Sequence, residues 1–168
     1  MSEWIAQRSR HGGVDEIPLP ATAGGLWLCG KHFIGPDPEG AMRAVRATTV
    51  VCLNQQRELD DRYPHYVEWL HMQSAERVVW HPIPDLGAPP VPVAAQLVDD
   101  LCRRVERGET LLVHCGAGIG RAGTIAVGLL MRMGVPRDAA LVTVAVNRPM
   151  AGPEAGALRE LLLALESR

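Results

Sequence analysis

The residues best equipped for chemistry are consecutive: His114-Cys115-Gly116-Ala117-Gly118-Ile119-Gly120-Arg121. A thiol is followed six positions later by a guanidinium, with three glycines between them. Glycine takes backbone conformations closed to other residues, so the amides of Gly116, Ala117, Gly118, Ile119 and Gly120 can turn towards one point. Together with the N-terminus of a helix beginning near Arg121, those donors would cradle a phosphate dianion. The planar fork of Arg121 would grip two phosphate oxygens at once. A cysteine in such surroundings loses its proton more readily than the free thiol, whose pKa of about 8.5 can fall to roughly 3.5–7.5. Cys115 would then face phosphorus as a thiolate, a nucleophile held in line with its electrophile. A cysteine at the end of a buried strand is ordinarily an inert core thiol. The conjunction with the glycines and Arg121 is what argues for chemistry.

This segment resembles the signature loop of the cysteine-based protein phosphatases, H-C-x-x-G-x-x-R. Within that superfamily it is similar to the small dual-specificity group, and to the branch reading C-x-A-G-x-G-R. That branch includes the phosphatases of regenerating liver and the kinase-associated phosphatases. Upstream, Asp85-Leu86-Gly87-Ala88-Pro89-Pro90 and Gln96-Leu97-Val98-Asp99-Asp100 look like the acid loop and following helix of the group. The likeness spans residues 25–165, closely over 81–124 and loosely elsewhere. It implies a protein tyrosine phosphatase-like fold and a reaction through a cysteinyl phosphate, with neither cofactor nor metal.

Alone, Asp85 before a proline-braced turn reads as a turn residue; the resemblance makes it the general acid that protonates the leaving oxygen. Asp60, Asp61, Asp99 and Asp100 fall on expected helical surfaces and suit that task less well. His114 is expected to hydrogen-bond the loop and help hold the thiolate, a purely structural histidine being the alternative. Two departures stand out. Ala122 follows the arginine where most members carry Ser or Thr, and no glutamine is visible in 152–158 to position water. Both point to a slow second half-reaction. The loop-rim side chains Ala117 and Ile119 are neutral where phosphoinositide phosphatases tend to place lysines, which disfavours a highly charged lipid. Asn54 to Tyr63 stands where the family's substrate-recognition segment lies, and Arg57 and Arg62 would meet an acidic peptide or simply be solvated. The expected substrate is a phosphoprotein, the enzyme being either tyrosine-directed or of dual specificity for phosphotyrosine and phosphoserine or phosphothreonine. A low-turnover phosphate-binding regulator, favoured by Ala122, and a phosphatase of a small metabolite or lipid headgroup remain as alternatives. A sulfurtransferase is disfavoured, because such proteins lack the C-x5-R spacing and need no loop acid.

The elements that must position these groups follow from the apolar pattern. Strands are expected at 25–29, 48–53, 78–83 and 110–113, the last wholly apolar and suited to the middle of a sheet. Helices are expected at 37–47, around 59–72, from Val93 to a stop at Gly108, and at 121–133, 136–147 and 154–166. The alternation predicts one α/β domain with a mostly parallel central sheet flanked by helices. Residues 1–24, polar and rich in Gly and Pro, read as a loosely ordered N-terminal extension; 25–168 form the catalytic domain.

The bulk properties exclude other classes. The 168 residues are 47% hydrophobic, enough for a core without metals or disulfides. A net charge of −2 argues against nucleic acid as a partner. The four cysteines form no C-x-x-C pair and have no histidines at zinc-finger spacing. No apolar run approaches the ~18 residues of a membrane span, and Met1-Ser2-Glu3-Trp4 does not read as a secretory signal. The expectation is a cytoplasmic protein with reduced thiols; oligomeric state is left open.

Overall fold

In the computed structural model, which describes Arg8 and residues 10–168, a five-stranded sheet runs in the order β1-β2-β5-β3-β4. The strands are β1 (Val14–Glu16), β2 (Gly25–Gly30), β3 (Thr49–Cys52), β4 (Val78–Trp80) and β5 (Thr110–Cys115). All pairings are parallel except that of β1 with β2. The helices are α1 (Lys31–Ile34), α2 (Pro38–Val45), α3 (Pro64–Met72), α4 (Val91–Glu106), α5 (Gly120–Arg132), α6 (Arg137–Asn147) and α7 (Gly156–Glu166). This is the expected α/β architecture.

β5 lies in the centre because its sequence suits burial on both faces. Successive side chains of a strand point to opposite sides. Leu111, Val113 and Cys115 join the core under α4 to α7, while Leu112 faces the second core under α1 to α3. β3 divides in the same way, Val51 to one core and Val50 and Cys52 to the other. α4 shows how a helix is held there. Its buried Ala94, Leu97, Val98, Leu101 and Val105 recur at helical spacing. Each fully buried Val or Leu contributes about 1.5–3 kcal/mol against leaving it exposed.

Two short elements depart from the sequence reading. Val14–Glu16, assigned there to a loose extension, forms edge strand β1, and Ile17 behind it is 1% exposed. Three residues of weak alternation carry too little signal to mark a strand; its pairing with β2 supplies the rest. The portion of the 1–24 extension at residues 1–7 and 9 lies outside the described residues. The second is α1, one helical turn between β2 and α2 that no periodicity announces. No helix among the described residues is long and apolar enough to cross a membrane. All four cysteines are free and buried.

Candidate active site

The loop after β5 is shaped from outside by its carbonyl partners. Gly116 O accepts from Lys31 N at 3.0 Å, and Ile119 O from Gly123 N and Gly152 N, each at 3.0 Å. Between them, Ala117 O accepts from Arg148 Nη2 at 2.8 Å and Gly118 O from Arg148 Nε at 2.7 Å. Four successive carbonyls thus turn outward, which leaves the amides of the loop to face the opposite way. Gly118 (φ +74°) makes the turn possible, because a Cβ there would stand 2.3 Å from Cys29 O. α5 begins directly behind, with no side-chain cap on its first amides. Its uncapped N-terminus completes a bowl of donors biased towards an anion.

Cys115 sits at the floor of the bowl, 2% exposed, with Ala122 N donating to its Sγ at 3.5 Å. Arg121 is buried beside it and is fixed by three bonds. Nη1 and Nη2 donate to the two Glu58 oxygens at 2.8 and 2.7 Å, and Nη1 also to Ile83 O at 2.8 Å. Burial works against the charge of Arg121, but the Glu58 bonds and the Cys115 and Asp85 charges outweigh it. Burial likewise raises the Glu58 pKa, and the Arg121 bonds more than reverse that, so its carboxyl lies below the ordinary range. Asp85 reaches in from the opposite wall, its Oδ1 3.6 Å from Arg121 Nη2 while its side chain stays 70% exposed. A turn closed by Gly87 N donating to Pro84 O at 2.9 Å, with Leu86 in the left-handed region (φ 62°), presents it.

His114 faces the other way. Its Nε2 shares a 2.6 Å hydrogen bond with the Tyr66 hydroxyl of α3, and burial pushes its pKa down to about 3. The ring therefore anchors β5 to α3 as a neutral imidazole and also bonds the Cys115 backbone, which works against the burial, while Arg148 holds the carbonyls of the loop itself. The alternation along β5 sends the ring to Tyr66: if the Cys115 side chain faces the bowl, that of its neighbour must face the opposite core.

Three functional side chains escaped the sequence reading. Glu58 belongs to a short 3-10 turn whose capping box, with Gln55 N donating to Glu58 Oε2 at 2.7 Å, aims the carboxylate. The Gln-x-x-Glu spacing at 55–58 was the available signal. Arg148, 3% exposed, ends α6 and pairs through Nη1 with Asp15 Oδ2 at 2.7 Å. Nothing local marks it, since an arginine ending a helix is usually a solvated dipole partner. Glu154 overlies Gly120, its Oε2 2.8 Å from where a Cβ would stand, and so occupies the rim where no glutamine was found. Arg57 and Arg62 remain on the surface. The hydroxyl of Thr124, a possible donor to the thiol, is committed to Gly120 O at 2.7 Å. Among the described residues no group of His, Cys, Asp and Glu could hold a metal ion.

A buried thiol, a fixed guanidinium, a bowl of amides and a carboxyl on a facing loop together suit transfer of a phosphoryl group to sulfur. Residues 39–162 match the family model described as "Swiss Army Knife protein, DSP-PTPase phosphatase domain". Comparison with curated protein sequences gives no match. Among solved structures, the active form of Tk-PTP is 26% identical, with a TM-score of 0.67 over 91% of this chain and 97% of that one. The human tyrosine phosphatase-like serine/threonine/tyrosine-interacting protein is 20% identical, with a TM-score of 0.72 over 92% and 95%. A kinase-associated phosphatase carrying serine for its catalytic-site cysteine is 17% identical, with a TM-score of 0.74 over 92% and 94%. The last two likenesses are of fold.

His114 makes stability depend on pH in a stated direction. Its folded pKa of about 3 lies below its ordinary 6.5, so between those values the unfolded chain binds the proton that the folded one refuses. Stability therefore falls as pH drops from 6.5 towards 3. Urea midpoints measured across this range should decline more steeply for the native protein than for His114→Asn. Parallel slopes would mean that the imidazole is charged in the folded state.

Proposed function

Because this chain belongs to the family of Swiss Army Knife DSP-PTPase phosphatase domains, we propose that it hydrolyses phosphoproteins through a cysteinyl-phosphate intermediate. The observation that carries this reading is the outward pull on the carbonyls of 116–119, which makes an anion-binding bowl directly over Cys115. Substrate phosphate enters the bowl, held by the amides of Gly116 to Gly120 and by the side of Arg121 that Glu58 leaves open. The sulfur of Cys115, as thiolate, attacks phosphorus; the S–P bond forms as the ester P–O bond breaks. Asp85 gives its proton to the departing alkoxide or phenoxide. Water then attacks the phosphocysteine, its proton passes to the Asp85 carboxylate, and the thiolate leaves. Glu154, packed over Gly120 at the start of α5, is the residue we assign to orient that water. The charge developing in both steps is matched by donors already fixed in place, the usual largest source of rate enhancement.

The substrate reading is phosphotyrosine together with phosphoserine or phosphothreonine in proteins. The low-turnover alternative has one observation in its favour. Ala122 offers no hydroxyl, and that of Thr124 points to Gly120 O, so among the described residues the hydrogen bond found at the sulfur is that of the Ala122 amide, at 3.5 Å.

Cys115→Ser should abolish turnover of an aryl phosphate while retaining phosphopeptide binding, because the amide bowl and Arg121 survive. Sustained turnover by the purified variant would rule out the covalent route. Asp85→Asn should slow hydrolysis by about 10²–10⁴-fold for alkyl phosphates and much less for activated phenols; a loss independent of leaving group would assign Asp85 a structural role. Rapid mixing with an activated aryl phosphate should show a burst of phenol before a slower steady state. Ala122→Ser should raise the steady rate and shrink the burst. A native trace without a burst, with no gain in the variant, would show that sulfur departure does not limit turnover.

A further inference from the structure

Lys31 is the only lysine in the chain, and it stands where two parts of the site meet. Its backbone N donates to Gly116 O at 3.0 Å, at the start of the bowl. Gly30 before it lies so close to the loop that a Cβ there would stand 2.8 Å from that same oxygen. The end of β2 is thus pressed against the loop, and Lys31 starts from a fixed base. Its side chain crosses to another segment, where Nζ donates to Glu58 O at 3.0 Å. Among the described residues it is the donor found for this carbonyl. Glu58 ends the 3-10 turn Gln56–Glu58, and the last carbonyls of a helical turn are left open by the turn itself. An ammonium is a compact point donor suited to one such oxygen, and its charge makes the bond roughly twice as strong as a neutral one. The carboxylate of the same Glu58 holds both Nη atoms of Arg121, at 2.8 and 2.7 Å. One residue therefore takes a brace at its carbonyl and passes the orientation on through its side chain.

We propose that Lys31 is a positioning residue of the phosphate site: it ties the Glu58 turn to the signature loop and so sets the angle at which Arg121 meets phosphate. The proposal rests on the reading of the bowl as a phosphatase site. The capping box of Gln55 and Glu58 fixes the shape of the turn but not its place against the loop. Asn54 Nδ2 also donates to the Glu58 carboxylate, at 3.1 Å, but from the segment that carries the turn. Lys31 is bonded to the loop and the turn together, so it supplies the missing constraint. Without it the turn moves as a unit and takes the carboxylate with it. Ile83 O still holds Nη1 of Arg121, so the fork loosens rather than turns away. It must then be ordered again whenever it meets an anion, which costs entropy.

The test reads Arg121 itself. In nitrogen NMR spectra of the ligand-free protein, a fork held by three bonds should give resolved Nη signals, assigned by their loss in Arg121→Lys. Lys31→Met keeps the length of the side chain without its charge or donor, and should broaden or merge those signals. Tungstate, a phosphate mimic followed by calorimetry, should bind about 10-fold more weakly to this variant, the scale of one charged hydrogen bond. The kcat/KM for an aryl phosphate should fall by a similar factor. In Glu58→Ala, whose turn has no carboxylate left to aim, Lys31→Met should cost nothing further. Unchanged Arg121 signals in Lys31→Met would overturn the proposal. So would an equal loss of tungstate affinity with and without Glu58, which would put the ammonium on the ligand itself. Should Glu58→Ala fail to fold, the Arg121 signals decide alone, since they are read with no ligand present. A native protein that neither binds tungstate nor hydrolyses an aryl phosphate would instead sink the phosphatase reading, with the Arg121 signals deciding the role of Lys31 separately.

Discussion

The site depends on where the carbonyls of one turn are sent. A peptide group that faces its N–H inward must face its C=O outward, and each buried C=O then needs a donor. Arg148 supplies that donor twice, to Ala117 O and Gly118 O. A buried guanidinium needs a counter-charge, which brings in Asp15 and with it the edge strand β1. One requirement at the loop therefore explains an arginine at the end of α6, an acid near the N-terminus and a strand too short to stand on its own.

A second constraint governs Arg121. A guanidinium free to turn would spend entropy each time it met a phosphate. Glu58 holds one edge of the fork with two short bonds and Ile83 O braces the same side. The orientation is thus set before any ligand arrives. The same contacts join three segments around one cation, since Glu58 follows β3, Ile83 opens the acid loop and Arg121 begins α5.

What could be read from the sequence divides along these lines. β5, its glycine-rich turn and α5 are contiguous, so their pattern shows both elements and chemistry, and the proline-braced loop carrying Asp85 is equally local. The partners that hold them are not. Glu58 meets Arg121 across 63 positions and Asp15 meets Arg148 across 133, and no periodicity encodes a pairing at such distances. His114 shows the limit within a single strand. Alternation alone turns its ring away from the bowl, yet its partner Tyr66 emerges only when α3 is packed against β5. Strand β1 fails for a related reason, since three residues gain their conformation from a neighbour rather than from their own pattern.

The pairing of Arg148 with Asp15 also bears on the order in which the molecule comes into being. Contacts between residues far apart in sequence form late, because closing the intervening chain costs entropy before the contact returns anything. During synthesis Cys115 emerges before Arg148, so its turn has no clasp while the later residues are still unmade. The clasp on the turn over the sulfur comes only with Arg148, whose guanidinium bonds Ala117 O and Gly118 O and pairs with Asp15 near the opposite end of the chain. Assembly thus acts as a safety catch: the nucleophile acquires its setting only after the protein around it is built.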